Sequence, residues 1–157
     1  MTGENTHNQL IDHALAYAGH GWPVFPCGKD KRPLVKSGFK AASTDEKQIR
    51  EWWTRWPSAS IGMPTGSASG VWVLDLDLPD GPETMKQLEA AHGALPETLS
   101  QQTGGGGYQL FFGWNLELPI RNTAGQIGPG IDVRGEGGYV ILPPSGHPSG
   151  GQYAWIR

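Results

Sequence analysis

Glycine and proline interrupt this chain too often for a helical bundle or a long coiled coil. There are 24 Gly and 13 Pro among 157 residues. Glycine weakens a helix interior through backbone entropy, and proline breaks it through its missing N–H. That frequency borders on low complexity. The aromatics argue the other way: 7 Trp, 4 Tyr and 4 Phe, with 37% hydrophobic residues, exceed what disordered chains carry. What remains is a loop-rich globular domain, with its glycines at turns or around a ligand. The length fits one domain, able to bury about two-thirds of its unfolded surface.

Net charge is −3, which gives no support to tight, non-specific duplex binding through a basic surface. The average hides an asymmetry. Residues 1–57 carry 8 Lys and Arg against 6 acids, whereas residues 58–157 carry 4 against 9. The acids of the second part must be solvated or paired with something cationic. Cys27 is the single cysteine, so no disulfide forms within the chain, as suits a reducing compartment. No apolar run approaches the roughly 20 residues of a membrane span. The start, Met1 to Gln9, is polar and has no signal core. The expected location is the cytoplasm, with no membrane partner.

Residues 9–18 read as a helix: Leu10, Ile11, Ala14, Leu15 and Ala18 share a face, with Asn8 at the cap and Gly19 or Gly21 at the end. Gly21 to Pro26 is then extended, and 28–42 is a loop with five positive charges and one negative between Lys29 and Lys40. A second helix is expected after Ser43-Thr44-Asp45-Glu46, where Ser three residues before Glu makes a capping-box pattern. Ile49, Trp52, Trp53 and Trp56 follow at helical spacing up to the stop at Pro57, a stripe that reads as core rather than base-stacking surface.

A short strand at 60–63 leads into a glycine- and serine-rich loop. Val71 to Leu78 is a strand: Leu74, Leu76 and Leu78 face one way, Asp75 and Asp77 the other. A third helix covers 82–92, with Pro82 at its first position and Gly93 past its end. Tyr108 to Trp114 is a strand; Ile131–Arg134 and Tyr139–Leu142 are expected to pair as a hairpin across 135–138; Tyr153 to Ile156 is the last strand. The irregular interruption of strands by helices predicts a mixed sheet rather than a doubly wound parallel one. The ending on a strand pattern suggests a domain excised from a longer protein.

Three groups bear chemistry. Asp75 and Asp77 lie within about 7 Å of each other on one strand face. Buried and ionised without partners they would be very costly; facing Mg²⁺ or Mn²⁺ they would be stabilised, since hard cations take oxygen ligands. The other reading is an exposed sheet edge kept soluble by charge. Thr103-Gly104-Gly105-Gly106-Gly107-Tyr108-Gln109 enters a strand, so its backbone N–H groups can cradle an anion, or simply connect a hairpin. It lacks the Lys-Ser/Thr of a Walker loop and the strand-first order of a dinucleotide fingerprint. Asp132 and Arg134 share a strand face, either as an ion pair or split between a metal and a phosphate. Together these are the parts of two-metal phosphoryl transfer. The histidines, His7, His13, His20, His92 and His147, show no metal spacing; His147 reads as a solvated loop residue, with a pocket rim as the alternative.

The order of these pieces resembles the N-terminal primase-polymerase domain of bifunctional DNA primase/polymerases. These belong to the archaeo-eukaryotic primase superfamily and occur on plasmids, phages and integrated elements. The resemblance spans about residue 10 to 156. It rests on Ala14-Leu15-Ala16-Tyr17, Gly21 to Pro26, Lys31-Arg32-Pro33-Leu34, Ala42 to Asp45 with Trp52-Trp53, and Ile61-Gly62 with Thr65-Gly66. It continues through Val73 to Asp77, Thr103 to Phe112, Ile131 to Arg134 and Gly138 to Ser145.

The resemblance implies an α+β fold in which an RRM-like mixed/antiparallel catalytic sheet (about 67–157) packs with an N-terminal α/β subdomain (about 1–66), an active-site cleft lying between them. It implies a template-directed nucleotidyltransferase that makes primers, extends DNA, or both. Asp75, Asp77 and Asp132 would be catalytic and hold Mg²⁺ or Mn²⁺, with two divalent ions expected. Gly105, Gly106, Gly107, Gln109, Arg134 and Lys31 would bind the nucleotide. Gln109 stands where many members have His, and can donate only a neutral hydrogen bond. Implied partners are nucleoside triphosphates, a single-stranded DNA template with its primer, and a fused or separate helicase and helical primase domain. Two other functions fit the residues: a catalytically silent nucleotide- or single-strand-binding module, and a metal-dependent nuclease.

Overall fold

A computed structural model describes residues 2–114 and 123–157. In chain order the elements are α1 (Thr2–Gly19), β1 (Phe25–Cys27), a 3₁₀ turn (Gly38–Ala41), α2 (Glu46–Arg55), β2 (Ser60–Pro64), β3 (Val71–Leu76), α3 (Gly81–His92), β4 (Ser100–Gln102), β5 (Tyr108–Gly113), β6 (Thr123–Gly128), β7 (Ile131–Arg134), β8 (Tyr139–Leu142) and β9 (Ala154–Trp155). The strands form two sheets, β1-β2-β8 and β6-β7-β3-β5-β4-β9. The fold is α+β, and every pairing described is antiparallel rather than mixed.

The expected hairpin between 131–134 and 139–142 does not form. β7 pairs with β3 and β6, while β8 pairs with β2. The turn between them carries the chain from the large sheet to the small one. It is held to the loop after β2: Thr65 Oγ1 donates to Gly135 O at 2.6 Å, Thr65 N to Gly138 O at 2.9 Å, and Ser67 N to the Glu136 carboxylate at 2.8 Å. Local spacing suggested a hairpin, but both strands find larger apolar surfaces elsewhere. Ile131 and Val133 pack with Leu74, Leu76 and Met85; Val140 and Leu142 pack with Ile61 and Met63.

The helices largely follow their sequence patterns. α1 buries Leu10 and Ala14 and runs seven residues upstream of the expected start, so Asn8 lies inside it rather than at its cap. α2 buries Ile49 and Trp53 as the tryptophan stripe predicts. The capping box does not form. Ser43 Oγ accepts from Asp45 N at 2.9 Å, Asp45 occupies the cap position, and Glu46 pairs with Arg50 at 2.9 Å. α3 packs on Leu74 and Leu76 through Met85. β3 ends two residues earlier than expected, and Leu78 is 53% exposed in the following turn.

Segment β3-α3-β4 with β5 inserted between its two strands is a split β-α-β unit. Both faces of the large sheet are covered. One face, with Leu74, Leu76, Ile131 and Val133, lies under α3. The other, with Val73 and Phe111, meets α1, α2 and the small sheet. Tyr17 and Trp22 fasten α1 to that face: Trp22 stacks on Phe111 at 5.9 Å, and Trp155 Nε1 donates to Tyr17 Oη at 3.0 Å. Among the described residues, no helix is long and apolar enough to cross a membrane.

Candidate active site

The face of the large sheet that packs on the small sheet is apolar at Val73 and Phe111, then changes character one step along. Strand alternation puts Asp75 two residues beyond Val73 and Gln109 two residues before Phe111 on that same face. The ladder aligns them. Asp132 stands opposite Asp75, Asp75 opposite Gln109, and Gln109 opposite Gln101. With strands about 4.8 Å apart, four polar side chains form one row across β7, β3, β5 and β4. Asp77, just past β3, completes the carboxylate group. Asp75, Asp77 and Asp132 each offer a ligand atom within 4.8 Å of the others.

Asp75 is the buried member, only 5% exposed. Burial and then the Asp77 charge push its carboxyl up from 3.8 to about 6, against the pull of Arg134 and a hydrogen bond from Gln109. The Arg134 guanidinium lies 3.7 Å from Asp75 Oδ2, whereas Asp75 Oδ1 is buried with no partner among the described residues. A buried carboxylate oxygen without a donor, beside two further carboxylates, is costly for the protein alone. It suits a hard divalent cation taking oxygen ligands. The residues present therefore fit Mg²⁺ or Mn²⁺.

Two pockets open on this row. One, of 330 Å³, is lined by Lys31, Asp75, Asp77, Leu78, Thr103, Gly105, Gly107, Gln109, His147 and Tyr153. The other, of 240 Å³, shares Lys31, Asp75, Gln109 and Tyr153 with the first and is further lined by Arg134 and residues 137–141. Of the sequence candidates, Lys31, Asp75, Asp77, Gly105, Gly107, Gln109 and Arg134 thus border these spaces, and Asp132 joins the carboxylates. Lys31 reaches them from the basic loop, held at a left-handed φ of 70° with its carbonyl accepting from Tyr139 Oη at 2.8 Å. Arg134, which shares a strand face with Asp132, also reaches across to Asp75 on β3.

The glycine run is the β4–β5 hairpin turn. Gly106, at φ +95°, supplies the left-handed step, with its N–H bonded to Thr103 O. It lies in the turn rather than on the pocket wall. Gly107 permits close approach: a Cβ there would stand 2.5 Å from Leu76 O, in the adjacent strand segment. The hairpin reading is met, and the same turn lines the pocket.

Two site residues carry no signal in the sequence, and a third has a pocket rim there only as its alternative reading. Gln101 is fully buried, and its Nε2 donates to Gln109 Oε1 at 2.7 Å and to Ile141 O at 2.8 Å, joining the two sheets behind the site. Tyr153 walls both pockets, its phenol pushed up to about 12 by burial and then by Asp75 and Asp77. His147, favoured above as a solvated loop residue, lies on the pocket wall. Replacing Gln101 by Leu leaves Ile141 O and Gln109 Oε1 without their donor. The expected cost is about 2 kcal/mol, read as a lower midpoint in urea unfolding.

A family model described as bifunctional DNA primase/polymerase, N-terminal (Prim-Pol), matches residues 14–157. No curated protein matches the chain.

Proposed function

The chain belongs to the bifunctional DNA primase/polymerase N-terminal family, and from that premise we propose that it is a template-directed nucleotidyltransferase acting on single-stranded DNA. The observation that carries the reading is the carboxylate group: Asp75, Asp77 and Asp132 within 4.8 Å, with Asp75 Oδ1 buried and unpartnered among the described residues. In this reading residues 1–157 form one primase-polymerase domain, in which about 67–157 is the RRM-like catalytic part and about 1–66 the α/β part. The order β7-β3-β5-β4 and the split β-α-β unit support the RRM-like description. The pockets beside Asp75 support a cleft between the two parts.

Asp75, Asp77 and Asp132 would hold two divalent cations, Mg²⁺ or Mn²⁺. Bound there, the cations supply charge stabilisation for the attacking and leaving oxygens of phosphoryl transfer. The chain's own groups do the positioning. Lys31 and Arg134 balance the triphosphate, Arg134 with a guanidinium fork suited to phosphate. Gly105 and Gly107 keep the hairpin free of side chains, so that a phosphate approaches backbone. Gln109 holds Asp75 in place and offers a neutral donor. The primer 3′-hydroxyl, or that of a first nucleotide, attacks the α-phosphate and pyrophosphate leaves. A helicase and a helical primase domain, fused or separate, are the proposed protein partners.

The test incubates the protein with primed and unprimed single-stranded templates, ribo- or deoxyribonucleotides, and Mg²⁺ or Mn²⁺. Extension or primer products are expected, lost in EDTA and in the Asp75→Asn/Asp77→Asn double variant. No product under either metal overturns the reading. Release of nucleotides from labelled DNA without synthesis points instead to a nuclease, and metal-indifferent binding alone to a silent module.

A further inference from the structure

We propose that His147, from the loop between β8 and β9, is a nucleotide-phosphate ligand of this site, donating through Nε2 to the β- or γ-phosphate. The proposal deepens the nucleotidyltransferase reading and rests on it.

Three observations carry it. First, His147 shares the 330 Å³ pocket with Lys31, Asp75 and Asp77. It lies against the hairpin turn: the position of a Cβ on Gly105 is 3.5 Å from His147 Nε2. Second, the ring is oriented. Nδ1 accepts from Ser149 N at 3.1 Å and lies 2.8 Å from Ser149 Oγ. A peptide N–H can only donate, so the Ser149 N contact is met by the neutral tautomer with its proton on Nε2, the Ser149 hydroxyl then lying between Nδ1 and Gly104 O, 3.2 Å from the latter. Burial and the Lys31 charge hold the imidazole below its usual pKa, which favours that neutral form at pH 7. Third, the loop is built around this residue. His147 N donates to Gly151 O at 2.8 Å, Gly150 N to His147 O at 2.9 Å, and Gly104 is the one hairpin glycine whose Cβ would collide with His147 Cβ.

Position 109 is already engaged. Gln109 Oε1 accepts from Gln101, and its amide hydrogen-bonds Asp75. With an α-phosphate at the Asp75 and Asp77 end of the pocket, the distal phosphates extend along the wall that His147, Lys31 and Thr103 form. An N–H donor and a cation there meet an anion, whereas the carboxylate end meets cations.

The test compares wild type, His147→Asn, His147→Gln and Gly104→Ala in steady-state extension. It adds equilibrium titration with a fluorescent nucleoside triphosphate, and melting curves to check folding. Asn keeps an acceptor near Nδ1 but loses the Nε2 donor; Gln returns an amide N–H near the Nε2 position. His147→Asn is expected to raise nucleotide KM and Kd about 10- to 100-fold, with kcat and primer-template affinity changed far less. Gln should recover part of the loss, and Gly104→Ala should behave like Asn by displacing the ring. Nucleotide KM and Kd within twofold of wild type in His147→Asn overturn the proposal, even while Asp75→Asn abolishes synthesis and the broader reading stands. Nucleotide binding that His147→Asn weakens, in a protein that makes no product, sustains the ligand and removes the polymerase. Absence of nucleotide binding by the wild type overturns both.

Discussion

Asp75→Asn is expected to abolish nucleotide addition while making the metal-free protein more stable. The two effects have one cause. In the folded chain Asp75 is buried beside Asp77, and its carboxyl is raised from 3.8 to about 6. A raised acid binds its proton more tightly when folded. Its contribution to stability is therefore full below about pH 4 and lost as pH rises through about 6. The difference between 3.8 and about 6 corresponds to on the order of 3 kcal/mol against the folded state at neutral pH. Asn carries no charge and escapes that penalty.

The measurement is a melting temperature in EDTA for both proteins from pH 4 to 8. The variant's advantage should grow between pH 4 and about 6.5, then level off. Added Mg²⁺ or Mn²⁺ should raise the wild-type melting temperature through preferential binding to the folded state, and move the variant much less. Synthesis by the variant should fall about a thousandfold or more. An advantage that fails to appear at neutral pH removes the electrostatic account. Such a trade of stability for a charged, unsatisfied group is expected where function requires it.

Trp53→Ala should have the opposite profile. Trp53 is 2% exposed in the core between α2 and the small sheet, and its Nε1 donates to Ala59 O at 3.1 Å, just before β2 begins. Truncation to Ala removes a large buried ring and leaves a cavity, at about 3–5 kcal/mol. For a chain of this size, that lowers the melting temperature by roughly 6–20 °C. Trp53→Phe separates the causes: the ring is largely kept, while Ala59 O loses its donor at about 1–3 kcal/mol. Well below its transition, Trp53→Ala should retain synthesis, because Trp53 borders neither pocket beside Asp75. A melting temperature within 2 °C of wild type would falsify the core role.

Elements with a local cause were legible in the sequence. The α2 stripe and Pro82 at the start of α3 act within one or two turns, so periodicity and proline geometry suffice. So did Asp75, because strict alternation around it fixed its face. The direct opposition of Asp132, Asp75 and Gln109 was not, since register is a property of two strands and pairing between distant strands leaves no mark on either. The same reason misplaced β7 and β8: four residues separate them, yet each lies against a strand far away in sequence. Gln101 and Tyr153 were invisible because a buried Gln and a loop-flanking Tyr look ordinary until another segment encloses them. Ser43 and Glu46 had capping-box spacing, but Ser43 turned its hydroxyl to Asp45 and Glu46 found Arg50.

The pairing of β2 with β8 also sets a timetable. During synthesis β2 leaves the ribosome with one neighbour, β1, already made. Its other edge stays open until Leu142 and its neighbours emerge about 80 residues later. At roughly 5–20 residues per second the wait is about 4–16 s. An open strand edge is a template for pairing with another chain. Until β3 to β7 of the large sheet have been translated and the chain turns back through 135–138, the early helices are the part of the fold already made that can cover β2.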